Sequence, residues 1–207
     1  MEHWEAQMNN VVEEAFEFGR DLMNNIIAGN LAETKPGSLK YLLFGTETSK
    51  QSFVIRVGKS FEKFFEFLLE KGVTSPTSLA SGVHKETKKD RDLLAIYEAD
   101  KIVYYRELKA NIELDTEKLP ATIEKIKRIT EHLEREYPGY KINAGCLCWS
   151  TYDSLDLANK FNSKIKKFQE ANVTLDFAEE FFKFVNAPMT KEQYYDYFKS
   201  LGEMFDE

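Results

Sequence analysis

Two apolar runs split by a short four-residue segment constrain this chain more than any other stretch: RDLLAIY (91–97), EADK (98–101) and IVYYRELKAN (102–111). Aromatic and β-branched residues on both sides of a short polar segment predict a β-hairpin turning at Ala99-Asp100. A turn of either two or four residues pairs Tyr97 with Ile102, so paired positions sum to 199. In that register Asp92 lies across from Glu107, and the two-residue period of a strand puts Lys109 on the same face. That face carries Asp92, Leu94 and Ile96 against Val103, Tyr105, Glu107 and Lys109. The other carries Leu93, Ala95 and Tyr97 against Ile102, Tyr104, Arg106 and Leu108.

Carboxylates opposed on a sheet repel each other by a few tenths to ~1 kcal/mol, and by more when burial strips their hydration. A divalent cation between them reverses the sign. Two or three carboxylate oxygens plus waters suit the octahedral shell of Mg²⁺, with Mn²⁺ able to substitute. Lys109 would then face whatever anion the metal holds. Metal, water and anion together are what phosphodiester hydrolysis requires. Without metal, the same opposition predicts that Glu107→Gln is neutral or stabilising. Asp90 is the rival acid; it shares the face of Asp92 but lies opposite Lys109.

The rest of the chain supplies helices to cover a small sheet. Residues 4–28 carry apolar groups at helical spacing, with Gly29-Asn30 as a stop signal. After a loop around ETKPGS, the runs LKYLLF (39–44) and SFVIRV (52–57) suit either strands or helix ends. GKSFEKFFEFLLEKG (58–72) reads as an amphipathic helix closed by Gly72, and VTSPTSLASGVHKETKKD (73–90) as a polar loop. Downstream, ATIEKIKRITEHLEREYPG (121–139) predicts a helix with Ile123, Ile126, Thr130, Leu133 and Tyr137 on one stripe. KINAGCLCWS (141–150) predicts a buried strand, and residues 154–207 two or three helices. The expectation is one α/β domain over residues 1–207: a small central mixed sheet flanked by helices, with extra helices at both ends.

Composition sets broad limits. With 43% hydrophobic and 14% aromatic residues in 207, the chain can bury a substantial core. No apolar run approaches the ~18 to 20 residues that span a bilayer, and the start lacks the basic-then-apolar order of a secretory signal. Cys146 and Cys148 are the only cysteines. Two apart on one strand face, they are expected to be free core thiols in a reduced, cytoplasmic protein. His3, His84 and His132 show no metal-ligand spacing. A net charge of −7 argues against retention on nucleic acid by bulk positive charge, though not against basic groups gathered in one cleft.

Asp92 in KDRDLLAI and the E-x-K of Glu107-Leu108-Lys109 resemble the PD-(D/E)xK nuclease superfamily, which includes most type II restriction endonucleases. The helix GKSFEKFFEFLLEKG is similar to the family's leading helix, in which a Glu four residues after a Gly points at the metal; here that residue is Glu62. The likeness covers about residues 58–150 and departs from the pattern in having Arg91 where Pro usually precedes the Asp; residues 1–57 and 151–207 are elaborations. It implies a restriction-endonuclease-like fold of αβββαβ order and Mg²⁺ held by Asp92 and Glu107, with Glu62 as a possible outer ligand. Lys109 would be the charge stabiliser or activator of water. It also implies double-stranded DNA cut at a specific sequence by a homodimer. Polar residues just past the Lys approach the DNA backbone in such enzymes, which nominates Asn111. The loop HKETKKDR (84–91) lies where phosphate contacts are needed, nominating Lys85, Lys88 and Lys89. Lys160, Lys164 and Lys167 form a second basic face, read as solvated, and the terminal helices are the candidate dimer surfaces. A repair or junction-resolving nuclease of the same fold, or a non-catalytic acidic interaction domain, are the competing expectations.

Overall fold

The computed structural model describes residues 2–30, 50–72, 75–83, 90–110, 118–149, 162–187 and 189–204. In chain order these form α1 (Glu2–Asn30), α2 (Lys50–Lys71), β1 (Ser78–Leu79), β2 (Gly82–Val83), β3 (Asp90–Arg91), β4 (Leu93–Tyr97) and β5 (Ile102–Lys109). There follow α3 (Lys118–Glu136), β6 (Lys141–Cys148), α4 (Asn162–Glu170), β7 (Thr174–Phe177), α5 (Ala178–Phe184) and α6 (Lys191–Glu203). The main sheet runs β1-β4-β5-β6-β7, and β2-β3 is a separate two-stranded ribbon. β1, β4 and β5 are antiparallel neighbours, whereas β5, β6 and β7 run parallel. The architecture is a mixed five-stranded sheet flanked by helices.

The hairpin has the expected register. Tyr97 pairs with Ile102 and Leu93 with Arg106, and a four-residue turn with Lys101 at φ 49° joins them. The period-two pattern divides its side chains between two cores. Leu93, Ala95, Tyr97, Tyr104 and Leu108 face α1, α2, α5 and α6. Leu94, Ile96, Val103 and Tyr105, with Cys146 and Cys148 of β6, face α3 and α4. Both thiols are buried and free. With helices on both faces, β4 (LLAIY) has no polar side: all five of its residues are buried.

The flanking elements resolve one open choice, SFVIRV, and differ from expectation in three places. First, the segment 73–90, expected as a loop, supplies β1 and β2. SFVIRV is helical, so α2 begins at Lys50; its β-branched residues suit either state, and the Phe-rich stripe beyond them propagates the helix. Phe64, Phe65, Leu68 and Leu69 of that stripe are buried, each worth roughly 1.5 to 3 kcal/mol against exposure. LKYLLF and the loop around ETKPGS lie outside the described residues. On α3 the buried stripe is Leu119, Thr122, Ile126, Ile129 and Leu133, turned from the expected one so that Ile123, Thr130 and Tyr137 sit at its margin. The C-terminal region contains a strand as well as helices. β7 is only four residues long, and Gly145 of β6 lets it approach: a Cβ there would lie 2.6 Å from the Thr174 carbonyl oxygen.

The terminal helices, the candidate dimer surfaces, spend much of their aromatic content inside the chain, although Tyr195 of α6 is exposed. Phe181 and Phe182 of α5 and Tyr194 and Tyr197 of α6 are buried in the chain's own core. Tyr197 stacks on Phe16 of α1 with centroids 4.3 Å apart, and Gly19 leaves space for its ring. Among the described residues, no helix is long and apolar enough to cross a membrane.

Candidate active site

The two ladders of β5 end at different points. Pairing with β4 stops at Leu93–Arg106, while pairing with β6 continues to Lys109–Cys148. Asp92 is the joint between β3, which belongs to the ribbon, and β4, which belongs to the sheet. Its carboxylate takes over where the backbone ladder lapses, as the Leu108 N–H donates to Asp92 Oδ2 at 2.9 Å. Glu107 and Lys109 therefore project from the overhanging end of β5 beside Asp92, at the carboxyl ends of the parallel strands where α/β sheets place ligands.

Glu107 is 3% exposed and fully engaged. The Tyr105 hydroxyl donates to Oε2 at 2.9 Å, and Lys109 Nζ donates to Oε1 at 2.6 Å. Lys125 of α3 reaches the same carboxylate, with Nζ 2.5 Å from Oε2, and lies 3.5 Å from Asp92 Oδ1. One ammonium thus lies within ion-pair distance of both acids, bringing the two carboxylates to the same cation. The formal charges of Asp92, Glu107, Lys109 and Lys125 cancel.

The two acids titrate apart. Burial and the neighbouring Glu107 charge push Asp92 up to about 6, against the pull of Lys125, Lys109 and the Leu108 N–H. Burial also opposes ionisation of Glu107, but Lys109 and Lys125 outweigh it and hold the carboxyl below its ordinary value. Burial would lower Lys109, yet Glu107 and Asp92 raise it, so it stays an ammonium at neutral pH. Burial and Glu107 push the Tyr105 phenol far up, keeping it a donor. An environment that separates the affinities of two adjacent carboxyls for protons is typical of reactive sites.

Glu62 belongs to an adjoining cluster. Lys59 Nζ donates to Glu62 Oε2 and to Asp90 Oδ2, each at 2.8 Å. Burial raises Glu62, and Asp90 and Glu107 add to the rise. With Lys109, Trp149 and Gly58 it lines a cavity of about 250 Å³. Asp90, the rival acid, is more exposed than Asp92; it pairs with Val83 across the ribbon, not with Lys109, and its carboxylate takes Lys59. The expected trio does not assemble: among the described residues, no three His, Cys, Asp or Glu side chains form a metal-holding group. Two carboxylates with a shared position do fit Mg²⁺, which commonly keeps several waters and binds through one or two carboxylates. Asp92 and Glu107 would hold it, with Glu62 behind.

Lys85, Lys88, Lys89, Asn111 and Lys160 lie outside the described residues; Lys164 and Lys167 are on α4. Lys125 is the functional candidate that the sequence reading missed. Its signal was helical spacing: it stands three residues after Thr122 and four before Ile129, at the edge of the buried stripe. The expected effect of Glu107→Gln is also corrected, since that carboxylate is held by three donors and is not merely facing another acid.

Compared with protein-family models, curated proteins and solved structures, the chain matches none.

Proposed function

We propose that the protein is a metal-dependent endodeoxyribonuclease with a restriction-endonuclease-like fold, cutting double-stranded DNA at a specific sequence as a homodimer. The observation that supports this most directly is the reach of one ammonium to both Asp92 and Glu107, with Lys109 on the same strand. With the β2-β3 ribbon set aside, the order α2, β1, β4, β5, α3, β6 of the main sheet and its helices is compatible with the αβββαβ order that the resemblance implies. Asp92 and Glu107 present oxygen donors for Mg²⁺ or Mn²⁺. When bound, such an ion polarises a phosphoryl oxygen and acidifies a water. Lys109, fixed by Glu107 and the Leu108 carbonyl, offers positive charge to the phosphorane-like transition state. Tyr105 keeps Glu107 oriented, and the Leu108 N–H does the same for Asp92.

A second reading has its own support. The quartet of two acids and two lysines is already neutral, so it can serve as a structural ion network in a non-catalytic domain. Incubating the protein with a long mixed-sequence duplex and Mg²⁺ separates the two. Discrete fragments, absent with EDTA and with Asp92→Ala, are expected; an intact duplex at all Mg²⁺ and Mn²⁺ concentrations would favour the structural network.

A further inference from the structure

Lys125 stands where the proposed cation would bind. Its ammonium lies against Glu107 Oε2 and near Asp92 Oδ1, the two groups nominated as metal ligands. A divalent ion and an ammonium cannot share that position, because like charges at contact distance repel strongly in a partly dry site. The two lysines of the quartet are held differently. Lys109 springs from the same strand as Glu107 and is also bonded to the Leu108 carbonyl. Lys125 reaches in from α3, and its ion-pair partners among the described residues are the two carboxylates that a metal would claim.

Lys125 also has somewhere to go. Its side chain is 26% exposed and borders a cavity of about 510 Å³ shared with Arg91, Arg128, His132 and Arg135. Glu124 and Glu131 line the same cavity, Glu124 paired with Arg128 at 2.8 Å, so its wall carries acidic as well as basic groups. Arg91, 2% exposed and bonded to Glu136 at 2.8 Å, forms a fixed wall.

We propose that Lys125 is a displaceable internal counter-cation: it neutralises Asp92 and Glu107 while the site lacks metal, and swings into the arginine-lined cavity when a divalent ion takes its place. This rests on the metal-dependent reading above. Displacement keeps two buried acids neutralised at every stage, and it makes the metal compete with a tethered cation, which weakens its apparent affinity. The displaced ammonium would join a cavity lined by Arg91, Arg128 and Arg135 together with Glu124 and Glu131.

Binding of Mn²⁺, followed by loss of the free-ion electron paramagnetic resonance signal, tests this without any cleavage assay. Wild type, Lys125→Met and Asp92→Asn are compared after circular dichroism confirms that each is folded; Lys125→Gln replaces the Met variant if that one is not. At least tenfold tighter Mn²⁺ binding by Lys125→Met, and loss of binding in Asp92→Asn, are expected. Acylation of Lys125 in the wild-type protein, read by peptide mass spectrometry, should also rise on adding Mg²⁺. If Asp92→Asn loses binding while Lys125→Met binds no tighter than wild type, the displacement falls and the nuclease reading stands. If neither wild type nor Lys125→Met binds Mn²⁺, both fall. Acylation that is unchanged by Mg²⁺ at concentrations that load the site also overturns the displacement.

Discussion

Asp92 completes the strand beside it: its Oδ2 accepts the Leu108 N–H at 2.9 Å, in a stretch where β4 no longer pairs with β5. One carboxylate oxygen therefore serves the backbone, and the other, Oδ1, is turned towards Lys125. Asn can keep the first interaction and Ala cannot. Asp92→Ala should cost about 1 to 3 kcal/mol by stranding a buried N–H.

Asp92→Asn should act in the opposite direction, and only above acidic pH. Asp92 is pushed up to about 6 from 3.8, so the folded state holds its proton more tightly than the unfolded state does. Its contribution is fully present below about pH 4 and is lost as pH rises through 6. Urea denaturation should find the Asn variant level with wild type near pH 4 and about 1 to 3 kcal/mol more stable at pH 7.5. Equal stability at both pH values would mean that the carboxyl carries no burial penalty.

Glu107→Gln should destabilise the metal-free protein by about 2 kcal/mol. The substitution leaves Lys109 and Lys125, roughly a quarter exposed, without their shared anion. Adding Lys125→Met to Glu107→Gln should recover part of the loss, since one stranded ammonium goes with it. Denaturation curves of the two single variants and the double variant give the coupling directly.

Under the proposed nuclease function, Lys109→Ala should keep duplex binding and cleave at least ~10²-fold more slowly. Single-turnover cleavage alongside an electrophoretic binding measurement distinguishes the two effects. Cleavage at the normal rate would remove Lys109 from the mechanism.

Asp176→Ala supplies a structural counterpart. Arg106, 3% exposed, donates to Asp176 Oδ2 at 2.7 Å, to the Tyr105 and Asn143 carbonyls, and lies over the Tyr104 ring. These bonds tie β5 to β6 and β7 from the sheet face opposite Glu107. Removing the carboxylate should cost about 3 kcal/mol by urea denaturation. Mn²⁺ binding by the folded fraction should remain at the wild-type level.

How far the sequence carried the structure depended on the range of the interaction. The Asp92–Glu107 juxtaposition was legible because a short turn and a two-residue period leave little freedom of register. The helix 58–72 was legible from its Phe and Leu spacing, whereas its extension to Lys50 was not, because Val54 and Ile55 favour neither state decisively. Thr174–Phe177 offered four residues, too few to show alternation, and becomes a strand because Gly145 admits it against β6. Lys125 was invisible as a partner because nothing local links it to Asp92. That contact exists only once α3 packs across the sheet. Glu62 shows the converse: its spacing from Gly58 matched a motif, but Lys59, which also holds Asp90, claims its carboxylate.

β5 is the middle strand of five, with a packed layer on each side. Its amides should be among the last in the molecule to exchange with solvent deuterium, since opening them means separating the whole sandwich. Glu107 and Lys109 are thereby moored to the slowest-breathing part of the protein. Warming should leave whatever chemistry they perform intact until the global melt, then end it all at once.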